Sequence, residues 1–307
     1  MVMDLELRDL GYFAAVAEHG NLRRAAEALD LSQPALSKTL RRLEQAIGAK
    51  LVKRTPKGVE LTTVGTAMLR HAQRLQVSRD DITREVADLS QGRVGYLRVG
   101  AGPGMAEDLL PATCGALLQD TTKVSFNITV ATNDVLVPAL RKGEYDLIVS
   151  GIPSSPHEDL VQEPLYEDKF AVVASARHRL AKRKSVSIAN LSQEQWVLSA
   201  TNVVSWRALH KAFEDYRLPP PRVALQSNST SVRLRTVSRS HLLGFGSRRF
   251  IEQASHWLPL KEIRVKELAW SRSVGVSYRR NAYVSPLARR FIEILKVTAK
   301  EIATEKR

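Results

Sequence analysis

LSQPALSKTLRRLE, residues Leu31–Glu44, decides the reading of this chain. Leu36, Leu40, Leu43 and, just beyond, Ile47 recur at helical spacing and predict an inward apolar stripe. Ser32 is placed to cap the helix, Pro34 falls in its first turn where a missing N–H costs nothing, and Gly48 closes it. Away from the stripe face Gln33, Ser37, Lys38 and Arg41. A helix start offers free backbone N–H groups and a partial positive charge, both suited to a phosphate. Glutamine, lysine and arginine side chains can read base edges in a major groove. The stretch therefore reads as a helix that enters duplex DNA.

Its surroundings agree. Upstream, Leu7, Leu10, Ala14 and Ala17 share one face of a first helix, and Leu22, Ala25, Ala26 and Leu29 one face of a second, with Gly20-Asn21 between them. Downstream, LVKRTPKGVEL holds two apolar alternations around Thr55-Pro56-Lys57-Gly58, with proline and glycine where a type I turn prefers them, and predicts a basic β-hairpin, or wing. From Ser32 to Gly58 the cations Lys38, Arg41, Arg42, Lys50, Lys53, Arg54 and Lys57 face a single acid, Glu44, whereas acids outnumber cations before Ser32. The chain's formal net charge of +14 points to a polyanionic partner or an anionic ligand, and this segment concentrates the N-terminal share of it.

From Thr62 to about Gln91 the pattern becomes one long helix. Met68, Ala72, Leu75, Arg79, Ile82, Val86 and Leu89 alternate spacings of four and three, a coiled-coil seam that needs a partner helix and so predicts dimerisation. Arg79 interrupts the seam, either as a register device or as a residue reaching solvent. Gly92 to Gly95 reads as a hinge. Beyond it, strands at 96–101, 124–131, 146–150, 170–174, 196–199, 223–226, 242–246 and 274–278 are interleaved with helices at 107–118, 134–141, 205–216, 231–237 and 287–303. Two α/β lobes, each with a mostly parallel sheet, follow from that grammar.

The remaining features exclude more than they assign. At 307 residues, 44% hydrophobic and 25% charged, the chain has room for two or three packed units. The single cysteine, Cys114, forms no disulfide within the chain, the N-terminal MVMDLELRDL lacks an apolar signal core, and no uncharged apolar run reaches the ~18 residues of a membrane span. A cytoplasmic protein with no membrane partner is expected. No HExxH, spaced Cys/His cluster or GxSxG occurs, so neither a metal, a cofactor nor an enzymatic activity is expected. Gly100 to Gly104 lacks the full spacing of a dinucleotide loop, and His71 and Cys114 are expected to be packing residues.

AAEALDLSQPALSKTLRRLEQAIGAKLVKRTPKGVELTTVG (Ala25 to Gly65), the long helix after it, VGYLRVG at Val94 to Gly100 and the closing YRRNAYVSPLARRFIEILK together resemble the LysR-type transcriptional regulators over essentially the whole chain. The resemblance implies a multidomain α/β protein: a winged helix-turn-helix over residues 1–61, a dimerising linker helix over 62–92, and a two-lobed effector domain over 93–307 similar to periplasmic binding proteins. Lobe one is expected at about 93–170 and 271–307, and lobe two at about 171–270. It further implies DNA contacts by Ser32, Gln33, Pro34, Ser37, Lys38 and Arg41, with Arg54 on the wing near the backbone. An interrupted palindromic operator, a homodimer or tetramer, contact with RNA polymerase and a small-molecule effector complete the expectation.

In open α/β sheets ligands lie beyond the carboxyl ends of strands, often at helix N-termini. Two loops fit: Ala101 to Met105, with Gly102, Gly104 and Met105, and Ser199 to Val203, with Ser199, Thr201, Asn202 and Val203. Thr132, Ser150, Asn228, Ser229 and Phe245, each near a strand end, are expected to face them. This mixture of hydroxyls, amides and free N–H groups suits a small carboxylate. Many members of the family carry serine or threonine in the first loop, whereas this chain reads Gly-Pro-Gly-Met, which leaves only backbone donors and a thioether there and allows a bulkier or more apolar ligand. Arg248 and Arg249 are read as surface charge, as attractors of an anion, or as partners of acids at an oligomer interface. The competing expectation is an effector-independent DNA-binding protein whose second half only oligomerises, with its cleft plugged by side chains.

Overall fold

The computed structural model describes all residues except 1–5, 57, 92–94, 121–122, 154, 201–203, 266, 268–269 and 305–307, and in addition not the side chains of 88, 91 and 204. The chain divides into two compact units, Met1–Gly92 and Arg93–Arg307.

In the first unit, α1 (Leu7–His19), α2 (Leu22–Ala28) and α3 (Gln33–Ile47) precede the antiparallel hairpin β1 (Val52–Thr55) and β2 (Gly58–Leu61), and α4 (Thr63–Gln91) closes the unit. The sequence sets the ends of these helices locally. Gly20 takes the left-handed conformation at φ +59° that ends α1, the Asn21 side chain accepts the N–H groups of Arg23 and Arg24 to start α2, and Ser32 Oγ accepts the Ala35 N–H at 3.3 Å to start α3. One core holds them together, drawing Leu10, Phe13 and Val16 from α1, Leu22, Ala25 and Ala26 from α2, and Leu36, Leu40 and Leu43 from α3. The inward face of α1 is thus turned from the expected one: Leu7 is exposed, Ala17 is half-buried, and Phe13 and Val16 fill the core. Gly65 is required where α4 crosses β1, because a Cβ there would lie 2.0 Å from the Leu51 carbonyl oxygen.

The second unit carries a continuous mixed sheet in the order β4-β3-β5-β11-β6-β9-β7-β8, with β10 also paired to β6. Its elements run β3 (Tyr96–Ala101), α5 (Leu109–Asp120), β4 (Ser125–Val130), α6 (Asn133–Arg141), β5 (Leu147–Ile152) and β6 (Leu160–Ser175). A 3-10 turn (Arg179–Lys182) and α7 (Ile188–Leu191) lead to β7 (Gln195–Leu198), α8 (Val204–Asp215), β8 (Arg222–Gln226), α9 (Thr230–Ser238), β9 (Leu243–Ser247), α10 (Arg248–Ser255) and β10 (Leu260–Ile263). The chain then returns through β11 (Ser271–Arg279) to α11 (Pro286–Thr304). Strands β3, β4 and β5 are parallel, as are β7, β8 and β9, while β6 and β11 run antiparallel to their neighbours.

Strand β6 joins the two halves. Leu160 to Lys169 pairs with β11, and Phe170 to Val173 pairs with β9, so a single strand passes from one lobe to the other. Each lobe has its own core. Phe291 and Leu295 of α11 pack with Leu97, Val99 and Leu109 in the first, and Trp196, Phe213 and Leu209 with Val172 and Leu198 in the second.

Candidate functional site

The outward face of α3 is free. Ser32, Gln33, Pro34, Lys38 and Arg41 are exposed and Ser37 is half-buried, while the leucine stripe on the opposite side is sealed in the core. The wing is fastened beside this face. Arg54 Nη2 donates to Ser37 Oγ at 2.8 Å, and the carboxylate of Glu44, buried at the far end of the helix, accepts the N–H groups of Leu51 (3.0 Å) and Val52 (3.4 Å) at the start of β1 and the Lys50 ammonium at 2.6 Å. Burial acts against the charged carboxylate, but the Lys50 bond and the two backbone donors outweigh it and hold the Glu44 pKa below its usual value. Arg42, in contrast, points at α1, where its guanidinium grips the buried Asp9 through Nε at 3.0 Å and Nη2 at 2.6 and 2.8 Å. The basic segment therefore separates into cations turned outward and cations that hold the head together. Lys57 of the expected turn lies outside the described residues.

The seam on α4 also divides. Ala72 is 0% exposed and belongs to the core of the head, so it is not available to a second chain, and Met68 is half-buried against the same core. The cause is the small side chain of Ala72, which lets α1 lie against the first half of α4 and cover it. Further along, Leu75, Ile82, Val86 and Leu89 are exposed, Ile82 at 61% and Leu89 at 78%. Arg79 reaches solvent and pairs with Asp80. His71 is exposed rather than packed, while Cys114 leans on the core of lobe one, where burial pushes its thiol pKa up.

In the second unit a cavity of about 60 Å³ opens between the loop after β3 and the faces of α9 and β9. Gly104, Ser199, Asn228 and Phe245, all expected at the effector cleft, line it. Gly104 has to be glycine here, because a Cβ would lie 2.8 Å from Phe250 Cε2 and 3.5 Å from Arg272 Nη2. Ser199 and Ser205 share a hydrogen bond at 3.1 Å, and Asn228 Oδ1 accepts the Ala200 N–H at 3.0 Å.

Five expected residues do not line the cavity, among them Ser229, whose hydroxyl accepts the Val232 N–H at 3.3 Å to start α9. Met105, 1% exposed, turns its thioether into the core of lobe one, because the turn after β3 winds back through the Met105 N–H to Gly102 carbonyl bond. Gly102 and Ser150 face each other beneath that turn, buried between β3 and β5. Thr132 starts α6 and its hydroxyl is bound to Asp134. Thr201, Asn202 and Val203 lie outside the described residues. Arg248 and Arg249 are both engaged within the chain: Arg248 pairs with Glu262 at 2.7 Å, and Arg249 with Asp108.

Two guanidiniums that the sequence does not mark as site residues, Arg272 and Arg233, line the cleft. Arg272, on β11, donates to Asp168 Oδ2 through Nε at 3.1 Å and Nη2 at 2.9 Å, and its guanidinium carbon stands 5.1 Å from the centre of the Phe170 ring. Arg233, on α9, is 3.3 Å from Thr230 Oγ1 through Nη2, and its Nε is buried with no hydrogen-bond partner among the described residues. Withdrawal from water, reinforced by the charge of Arg272, pushes the Arg233 pKa down to about 10, which leaves it cationic at neutral pH. One sequence signal could have pointed to it: a cation near the N-terminus of a helix opposes the helix dipole, a placement that makes sense when an anion is to be held there. Arg272 and Asp168 are 104 positions apart and offer no such signal.

Among the described residues, no group of three His, Cys, Asp or Glu side chains could hold a metal, and no helix is long and apolar enough to cross a membrane. Residues 7–66 match the family model of the bacterial regulatory helix-turn-helix protein, lysR family, and residues 90–300 that of the LysR substrate binding domain. The HTH-type transcriptional regulator GbpR of Azospirillum brasilense is 30% identical over 240 residues, which cover 77% of this chain and 70% of that protein. The RuBisCO operon transcriptional regulator of Allochromatium vinosum is 27% identical over 293 residues, 95% of this chain and 96% of that one. Among solved structures, full-length CbnR complexed with its target DNA superposes with a TM-score of 0.63 at 22% identity, covering 96% of this chain and 100% of that chain. A full-length OxyR variant from Pseudomonas aeruginosa gives 0.65 at 22% identity, covering 96% and 95%. With both halves matched and the outward helix, wing and two-lobed sheet in place, this chain belongs to the LysR family of transcriptional regulators.

Proposed function

We propose that this regulator binds an interrupted palindromic operator in the cytoplasm as a homo-oligomer, and that a small organic anion in the cleft of the second unit modulates it. In this reading residues 1–61 read DNA, 62–92 pair two chains, and 93–307 hold the effector. Gln33, Lys38 and Arg41 would reach base edges and phosphates in the major groove. Ser32, Pro34 and Ser37 would bring the start of α3 against the backbone, with Arg54 on the wing beside it. The carrying observation is the free outward face of α3 beside a wing fastened to it by the Arg54–Ser37 bond. Leu75, Ile82, Val86 and Leu89 give a second copy an apolar strip on α4 to cover, and two heads held by it would set the spacing of operator half-sites.

An effector, preferably a carboxylate, is supported by the open cleft and by Arg233, whose charge no described acid neutralises. A plugged cleft would have favoured a second half that only oligomerises. By preferring one arrangement of the lobes, the ligand would shift the spacing of the DNA-binding heads and, through it, the contact with RNA polymerase. Footprinting during a titration with organic acids tests this. A footprint that changes in length or bend supports effector control, and an unchanged footprint on protein saturated with a bound acid rejects it.

A further inference from the structure

The charges around the cleft can be counted. Among the described residues that line it none is acidic, and two guanidiniums reach the space. Arg272 is neutralised by Asp168 directly behind it, and the other carboxylate oxygen of Asp168 is taken by the Ser247 hydroxyl at 2.6 Å. That pair is closed. Among the described residues Arg233 is paired with no acid, and its Nε has no partner. The cleft therefore carries one net positive charge, held by a residue with donors to spare. A buried cation without a counter-charge is costly to the free protein, and a carboxylate that accepts two hydrogen bonds from a guanidinium removes that cost.

The remaining surface is mainly apolar. Phe170, Val173, Val197, Leu234, Phe245 and Phe250 present hydrocarbon to the same space. The polar groups beside them are largely occupied, since Ser199 and Ser205 bond to each other and the Asn228 carbonyl oxygen holds the Ala200 N–H. A hydroxyl-rich ligand would leave its own donors and acceptors unmatched against this wall.

We infer that the effector is an organic monoanion with an aromatic or branched hydrocarbon body, its single carboxylate seated on Arg233. This rests on the cleft being the effector site and narrows the class of ligand it takes. A second carboxylate would have to lie against hydrocarbon or against an arginine already neutralised. A neutral amide would leave the Arg233 charge uncompensated.

The test uses purified full-length protein and a panel of aryl and branched-chain acids, phenylacetate among them. Each acid is compared by calorimetry with its amide and with the malonate that adds a second carboxylate to the same carbon. Members of the panel should bind at least tenfold more tightly than their amides and malonates, and Arg233→Gln should erase the preference for acid over amide. Arg233→Met keeps the aliphatic stem and deletes the charge, so the unliganded protein should melt at the same or a higher temperature. Tighter binding of the malonates, equal binding of acids and amides, or a lower melting temperature for Arg233→Met with acid affinity retained would each overturn the assignment. Should dianions bind and alter the footprint, the charge count fails while effector control stands. If no anion of any charge binds, both fall.

Discussion

Arg249 donates two hydrogen bonds to a single oxygen of Asp108, through Nε at 2.8 Å and Nη2 at 2.5 Å. Its third nitrogen donates to the Ile302 carbonyl of α11 at 2.6 Å. Arg249 stands at the start of α10 in lobe two, whereas Asp108 precedes α5 and belongs to lobe one. The bond set therefore ties the two lobes close to the cleft, next to Phe250, which lines it. Arg249→Met leaves the Ile302 carbonyl without this donor and Asp108 with only the Gln253 amide at 3.1 Å, and the loss should remove roughly 1–3 kcal/mol from the second unit. Urea unfolding measures this, and an unchanged midpoint would show that the tie carries no stability.

Glu44 should make the stability of the head depend on pH. Unfolded, its carboxyl titrates near 4.5, and in the fold the value is lowered. Its contribution is therefore complete above pH 4.5 and is lost as pH falls through the folded value. Glu44→Gln should destabilise the head by about 1–2 kcal/mol at pH 7, given that hydrogen bonds to a charged group are removed or weakened. The gap between variant and parent should narrow in melts recorded at successively lower pH, and a gap of constant size would argue against the ionised carboxylate as its source.

The cations around α3 should separate in a salt titration of DNA binding. Lys38 and Arg41 are free and exposed, so replacing either with alanine should flatten the dependence of log affinity on log salt by about 0.9 for each phosphate contact removed. Arg42 is engaged with Asp9, and Arg42→Ala should leave the slope nearly unchanged while lowering the melting temperature of the head. Equal slope changes for all three would show that the Asp9 pair opens on DNA.

On α4, two substitutions in opposite halves of the seam should have opposite outcomes. Ile82→Glu places a charge on the exposed strip and should shift the protein toward monomer in sedimentation velocity without lowering its melting temperature. Ala72→Leu adds volume inside the head and should cost ~1–3 kcal/mol through overpacking while leaving the assembly intact. The reverse pattern would place the pairing surface on the first half of the helix.

What the sequence could disclose depended on whether its cause was local. Ser32, Gly48 and the Leu36–Leu40–Leu43 stripe define the fifteen residues of α3, because capping and helical period are short-range effects. Strand β6 extends from Leu160, although only 170–174 suggested a strand. Its first part carries Glu163, Pro164, Glu167 and Asp168, and only pairing with β11, a hundred residues away, makes it extended. Helix α10 follows β9 without a connecting loop, so no turn signal marks where it begins. Ser199 could be placed because it directly follows a strand, and Phe245 because it lies within a short one. Arg272 could not, since its position in the cleft is set by the antiparallel return of β11. Met105 misled because its chemistry suits a ligand, while the direction of its side chain is decided by a turn.

The interface with DNA can be tested most directly by selecting a high-affinity duplex from a random pool and measuring its binding to the parent protein and to Gln33→Ala, Ser37→Ala and Lys38→Ala. The selected sites should contain paired, inverted half-sites. Gln33→Ala and Lys38→Ala should each lose about 1–3 kcal/mol of discrimination between that site and one altered at the contacted base pair. Selection of sequences without inverted symmetry, together with variants that bind the site as tightly as the parent, would contradict the assignment of α3 as the reading element.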